Sequence, residues 1–99
     1  MDDVISFPTM QQMLRHLIEL PKDEEMQYWN DHYRELSKTD RKRHMDDAEE
    51  KLSNLKLDPG FMNVYSMIPV DLQSCISMMM AAKADLNGLK RNAAEKICA

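Results

Sequence analysis

Residues 69–99 read PVDLQSCISMMMAAKADLNGLKRNAAEKICA, and the fold is decided there. Leu72, Cys75, Met79, Ala82, Leu86, Leu89 and Ala93 recur in alternating steps of three and four and close with Ile97. Apolar residues at that spacing share one face of an α-helix. The pattern predicts a long C-terminal helix over about 69–98, opened by Pro69 in the first turn with Asp71 near the positive end of its dipole. Its front half, residues 70–84, is apolar on more than this seam, since Ile76, Met78 and Met80 lie off it, so that half is expected to be buried on most sides. Its back half narrows to the seam. Gly88 costs helix stability there, or caps one helix ahead of a short last one.

Upstream, the chain supplies shorter helices to pack on this rod. Residues 1–5 are expected to fray. Ser6-Phe7-Pro8-Thr9 reads as a helix start, and Met10, Met13, Leu14, Leu17 and Ile18 form an apolar stripe that should end by about Leu20, ahead of Pro21. Asp23, Glu24 and Glu25 open a second helix, whose face is Met26, Trp29, Tyr33 and Leu36. The next stripe is Met45, Ala48, Leu52 and Leu55. Leu36 and Met45 are nine residues apart, about 900° of rotation at ~100° per residue, so one continuous helix would point the two stripes in opposite directions. A break near Ser37 to Thr39 lets both face one core. The expectation is therefore an αα-hairpin over about 23–56. The rival is a single long helix, favoured by the i,i+4 pairs Lys42–Asp46, Arg43–Asp47 and Asp47–Lys51 and by the poor fit of Arg41, Lys42 and Arg43 to a helix N-terminus. Asp58-Pro59-Gly60 is a turn. Residues 61–68 are densely apolar without a clean period, and read as a short helix or an extended connector. The fold class is all-α, a small single-domain bundle of three to five helices over residues 1–99.

Composition agrees and limits function. Two glycines and four prolines in 99 residues disfavour a turn-rich β fold, and 43% hydrophobic with 30% charged residues is an ordinary globular balance. A net charge of −4 disfavours broad wrapping of nucleic acid. No stretch reaches the ~20 apolar residues of a membrane span, and the N-terminal residues carry no secretory pattern. Cys75 and Cys98 would lie about 35 Å apart on one helix, too far to bridge, so a reduced, cytoplasmic protein is expected, with Cys75 as a small apolar seam residue.

No motif carries chemistry. His16, His32 and His44 are isolated, and no paired His or Cys spacing predicts a metal site. No nucleophile setting or Gly-rich loop is present, so no enzyme activity, cofactor or small-molecule substrate is expected. Ten methionines suit an irregular core or an adaptable partner groove better than soft-metal ligation. Two surfaces remain. Leu86, Leu89, Ala93 and Ile97 continue the seam beyond what shorter helices can cover, which predicts docking onto a protein partner or a second copy as a homodimer, with Asp85 and Lys90 at flanking positions. Lys38, Arg41, Lys42 and Arg43 form a basic run that is a candidate nucleic-acid or acidic-partner patch; a helix-turn-helix regulator is the alternative reading, although Asp46, Asp47, Glu49 and Glu50 follow at once.

Overall fold

The structure, a computed structural model, describes residues 7–98, with side chains from residue 12 to residue 96. The chain is all-α. Its elements are α1 (Phe7–Leu17), α2 (Asp23–His32), a 3-10 turn (Tyr33–Glu35), α3 (Lys38–Leu55), α4 (Pro59–Tyr65) and α5 (Val70–Cys98). The frayed start and the Ser6 cap expected from the sequence fall outside the described residues.

The break between α2 and α3 comes where the two stripes demand it. Ser37 is extended, and its hydroxyl accepts from the backbone N–H of Asp40 at 3.0 Å, capping α3. That cap, with Asp40 in the first turn, offsets the unfavourable position of Arg41, Lys42 and Arg43. α2 starts on a complementary device: the Glu25 carboxylate reaches back to accept from the Lys22 N–H at 3.0 Å. At α4, Asp58 accepts from the Gly60 N–H at 3.1 Å and Pro59 occupies the first turn. The apolar stretch after Pro59 is thus a short helix.

α3 and α5 form an antiparallel pair. His44 lies opposite Asp85, and Leu36, just before α3, lies opposite Gly88. α1 and α4 close one end of this pair, where Leu14, Ile18, Leu52, Phe61, Tyr65, Ile68, Ile76 and Met80 make the main core. The Gln73 side-chain amide ties α4 to α5 by donating to the carbonyls of Tyr65 (3.0 Å) and Ile68 (2.9 Å). At the other end, α2 lies on α5, and Leu36, Ala82, Leu86 and Leu89 are buried. The described residues measure 58 × 25 × 21 Å, elongated because α5 alone rises about 43 Å.

Two details of the seam are corrected. Ile76 and Met80 are buried, whereas Cys75 is exposed, its thiol 3.7 Å from the Asp71 carbonyl. A straight helix turns 3.6 residues per turn, so a line drawn in strict heptad steps drifts off the buried face over this length. Asp85, assigned to a flank, is buried with the seam. Four methionines serve the main core: Met80 is buried, and Met45, Met62 and Met79 pack against it.

Gly88 is continuous helix without positive φ. A Cβ there would meet Leu36 Cδ2 at 3.4 Å, an ordinary contact. Gly88→Ala should therefore stabilise the protein by about 0.5–1 kcal/mol, read from the urea midpoint, because alanine loses less backbone entropy on folding.

Candidate functional site

The most constrained polar group among the described residues is Asp85. It sits in α5 on the face shared by Ala82, Leu86 and Leu89 and is only 3% exposed. A carboxylate so placed must find donors. It finds two, one from each neighbouring helix. Trp29 of α2 donates from Nε1 to Oδ2 at 2.8 Å, and His44 Nδ1 of α3 lies 2.6 Å from Oδ1. A carboxylate offers only acceptors, so His44 is the donor of this hydrogen bond. Trp29 in turn stacks on Tyr33 with ring centroids 5.0 Å apart. One carboxylate therefore joins three helices.

Sequence reasoning placed Asp85 on a coiled-coil flank and read His44 as an isolated histidine. A signal was present: Asp85 stands three residues after Ala82 and four before Leu89, so it shares their face. Its partners were hidden because Trp29 and His44 lie 56 and 41 residues away.

A second cross-link lies beside it. Glu25 Oε2 of α2 is 3.3 Å from Lys83 Nζ and 3.7 Å from Lys90 Nζ, both on α5. The Glu25 carboxyl is held below its ordinary value of 4.5, first by the hydrogen bond from the Lys22 N–H and then by the two lysines, against an opposing push from burial. A carboxyl depressed in the folded state stabilises the fold above its unfolded value and gives that up as pH falls through its lower folded value. Glu25→Gln should cost about 0.5–1 kcal/mol at neutral pH, and the gap from wild type should close as unfolding is measured at pH values progressively below 4.5.

The basic run is divided by the fold. Lys42 pairs with Asp46 at 2.7 Å and Arg43 with Asp40 at 3.2 Å. Arg41 instead turns inward, its Cζ 5.1 Å from the Tyr33 ring centroid. Lys38 is exposed. The four residues do not present one uniform cationic face.

The apolar set is divided too. Leu86 and Leu89 are buried by the chain's own helices, so they are no free surface here. Ala93 is exposed, and the Ile97 side chain lies outside the described residues. The shorter helices cover more of α5 than their lengths suggested, because α2 and Leu36 lie along it as far as Gly88 and the Lys90 side chain. The histidines stay apart: His16 is exposed, His32 lies 2.6 Å from Glu35 and stacks on Tyr28, and His44 is held by Asp85. Among the described residues no three His, Cys, Asp or Glu side chains are placed to hold a metal ion. Surface hollows are open; one of about 200 Å³, lined by His44, Asp47, Lys51, Met80, Lys83 and Asn87, mixes charges of both signs and is below the usual size of a ligand pocket. No described helix is long and apolar enough to cross a membrane.

Exposed aliphatic side chains flank α4 in the chain, in addition to Leu17 of α1. Leu57, in the turn before it, is 81% exposed, and Val70, at the start of α5, is 76% exposed; Met67 between α4 and α5 is also exposed. Lys56, next to Leu57, lines one hollow with Tyr65 and Val70. These residues lie at the end of the molecule opposite α2. No protein-family model, characterised protein or solved structure matches the chain.

Proposed function

We propose that this chain is an interaction protein that docks onto a protein partner, regulating it by occupancy and without chemistry of its own. The supporting observation is the exposure of Leu57 and Val70, with Met67, at the α4 end, while the other large aliphatic residues are mostly covered. Docking through Leu86 and Leu89 would require them to leave the core, which moves the proposed contact to this end. Three side chains offer much less than the ~800 Å² per partner of a standard stable interface, which favours a transient contact with a concave partner over a homodimer.

The test compares the wild type with Leu57→Asp/Val70→Asp and with Lys42→Gln/Arg43→Gln in crosslinking and mass measurement from the native cell. Both pairs are exposed, so both variants should melt as the wild type does. Loss of a stoichiometric protein in the first variant only is the expected result. No protein dependent on Leu57 and Val70 would overturn the reading. The helix-turn-helix alternative keeps one supporting observation, two separate helices joined across Tyr33–Ser37. It predicts a salt-dependent shift of duplex DNA that is abolished by neutralising Lys38, Arg41, Lys42 and Arg43 together.

A further inference from the structure

We infer that Arg34 and Arg41, both over the Tyr33 ring, bind a single phosphate-type dianion together with Lys38, which stands one helical turn before Arg41. This inference does not rest on the docking reading, and its site lies at the other end of α3, an 18-residue helix about 27 Å long. Four observations carry it.

The first is placement. Arg34 Cζ and Arg41 Cζ lie over the same Tyr33 ring, at 5.2 and 5.1 Å from its centroid. The two come from different elements, the 3-10 turn and α3, so the corner between α2 and α3 brings them together. The second is charge. Among the described residues neither arginine, nor Lys38, has a carboxylate within salt-bridge distance, while the nearby acids are already engaged, Asp40 with Arg43 and Glu35 with His32. Like charges collected without a counter-ion repel, and an anion between them removes that cost.

The third observation is an unmet donor. Arg41 Nε is the one shielded side-chain nitrogen or oxygen among the described residues with no hydrogen-bond partner. A shielded N–H without an acceptor is rare, and a small shift of the Arg41 side chain on the Tyr33 ring would bring it to an anion at this corner. The fourth is rigidity. Tyr33 stacks on Trp29, and Trp29 is fixed by the buried Asp85, so the platform under both guanidinium groups is held from below. A guanidinium stacked on an aromatic ring presents its N–H groups in plane, and with Arg41 Nε shielded the terminal Nη groups are the edge that can meet two oxygens of one tetrahedral anion.

The size of the cluster selects the ligand. Three cations suit one dianion, and a phosphate monoester carries about −1.5 to −2 near neutral pH. Asp46, Asp47, Glu49 and Glu50 follow on the same helix and the chain carries a net charge of −4, both of which disfavour an extended polyanion. The geometry thus favours one phosphate group over a nucleic-acid backbone.

The experiment is a titration with inorganic phosphate against chloride at matched ionic strength, read from the arginine Nε–Hε resonances of isotope-labelled protein. Saturable shifts at Arg34 and Arg41 are expected with phosphate only. Arg34→Gln, at an exposed position, should weaken binding tenfold or more while leaving the melt unchanged. Lys42→Gln/Arg43→Gln should change it less than twofold. A phosphoserine peptide that binds tenfold tighter than inorganic phosphate would assign the anion to a protein segment, and equal affinities would assign it to a free phosphate; both uphold the site. Equal shifts with chloride, no effect of Arg34→Gln, or tighter binding of duplex DNA than of either phosphate probe would overturn it.

Discussion

Asp85→Ala is expected to be the most damaging of the substitutions considered, with a cost of about 3–5 kcal/mol in urea unfolding. The change strips the Trp29 N–H and the His44 N–H of their acceptor in one step, at the meeting point of α2, α3 and α5. Each donor left without an acceptor adds about 1–3 kcal/mol. A domain of this size holds only about 5–15 kcal/mol in total, so the variant should melt tens of degrees lower or fail to fold at 37 °C. Asp85→Asn should fall between: its amide oxygen still accepts from one donor, but its NH2 group faces the other. A replacement of all three polar groups, Trp29→Phe with His44→Leu and Asp85→Leu, should recover much of the loss, because no polar atom is then left stranded. An Asp85→Ala protein within about 0.5 kcal/mol of wild type would show that the carboxylate does not bind these helices.

Phe61→Ala should cost about 3–5 kcal/mol, the range for an aromatic side chain removed from a core. Phe61 is 1% exposed and packs at 5.5 Å between centroids on Tyr65. These two are the buried residues of α4, a helix of seven residues. A helix that short has no stability of its own and depends on what it packs against. The effect should therefore be uneven: amides of 59–65 should exchange faster than those of α3 and α5 at the same fraction folded. Phe61→Leu keeps most of the volume and should cost less than about 1.5 kcal/mol. Equal loss of protection in all helices would mean that α4 is no weaker than the body.

Helix period and stop signals were legible in the sequence. The stripes of α2 and α3 and the long C-terminal helix follow from spacing within one segment, whereas α1 stops at Leu17, short of the expected Leu20 and Pro21, and Leu17 of its stripe is exposed. The break before Lys38 followed from a rotation argument that needs no partner, and the structure places a 3-10 turn and the Ser37 cap there. A short helix over residues 61–68 was one of two readings, because that densely apolar stretch has no period to read; the structure starts the helix at Pro59, inside the expected turn, and ends it at Tyr65. What stayed hidden depends on which helix lies against which. Leu86 and Leu89 looked uncovered because the reach of α2 and Leu36 along α5 is set by the corner at Tyr33–Ser37. Arg41 looked solvated beside Lys42 and Arg43, yet one helical step turns it toward Tyr33. Asp85 looked like a flank charge because its two donors come from other helices.

From Lys90 to Lys96 the last helix shows seven consecutive exposed positions, while Asp85, Leu86 and Leu89 clamp its root. A foreign helix spliced in phase onto that overhang would inherit direction and azimuth from the buried root, at ~1.5 Å and ~100° per added residue. Such a chimera could be aimed by counting residues alone, with no flexible joint between its halves.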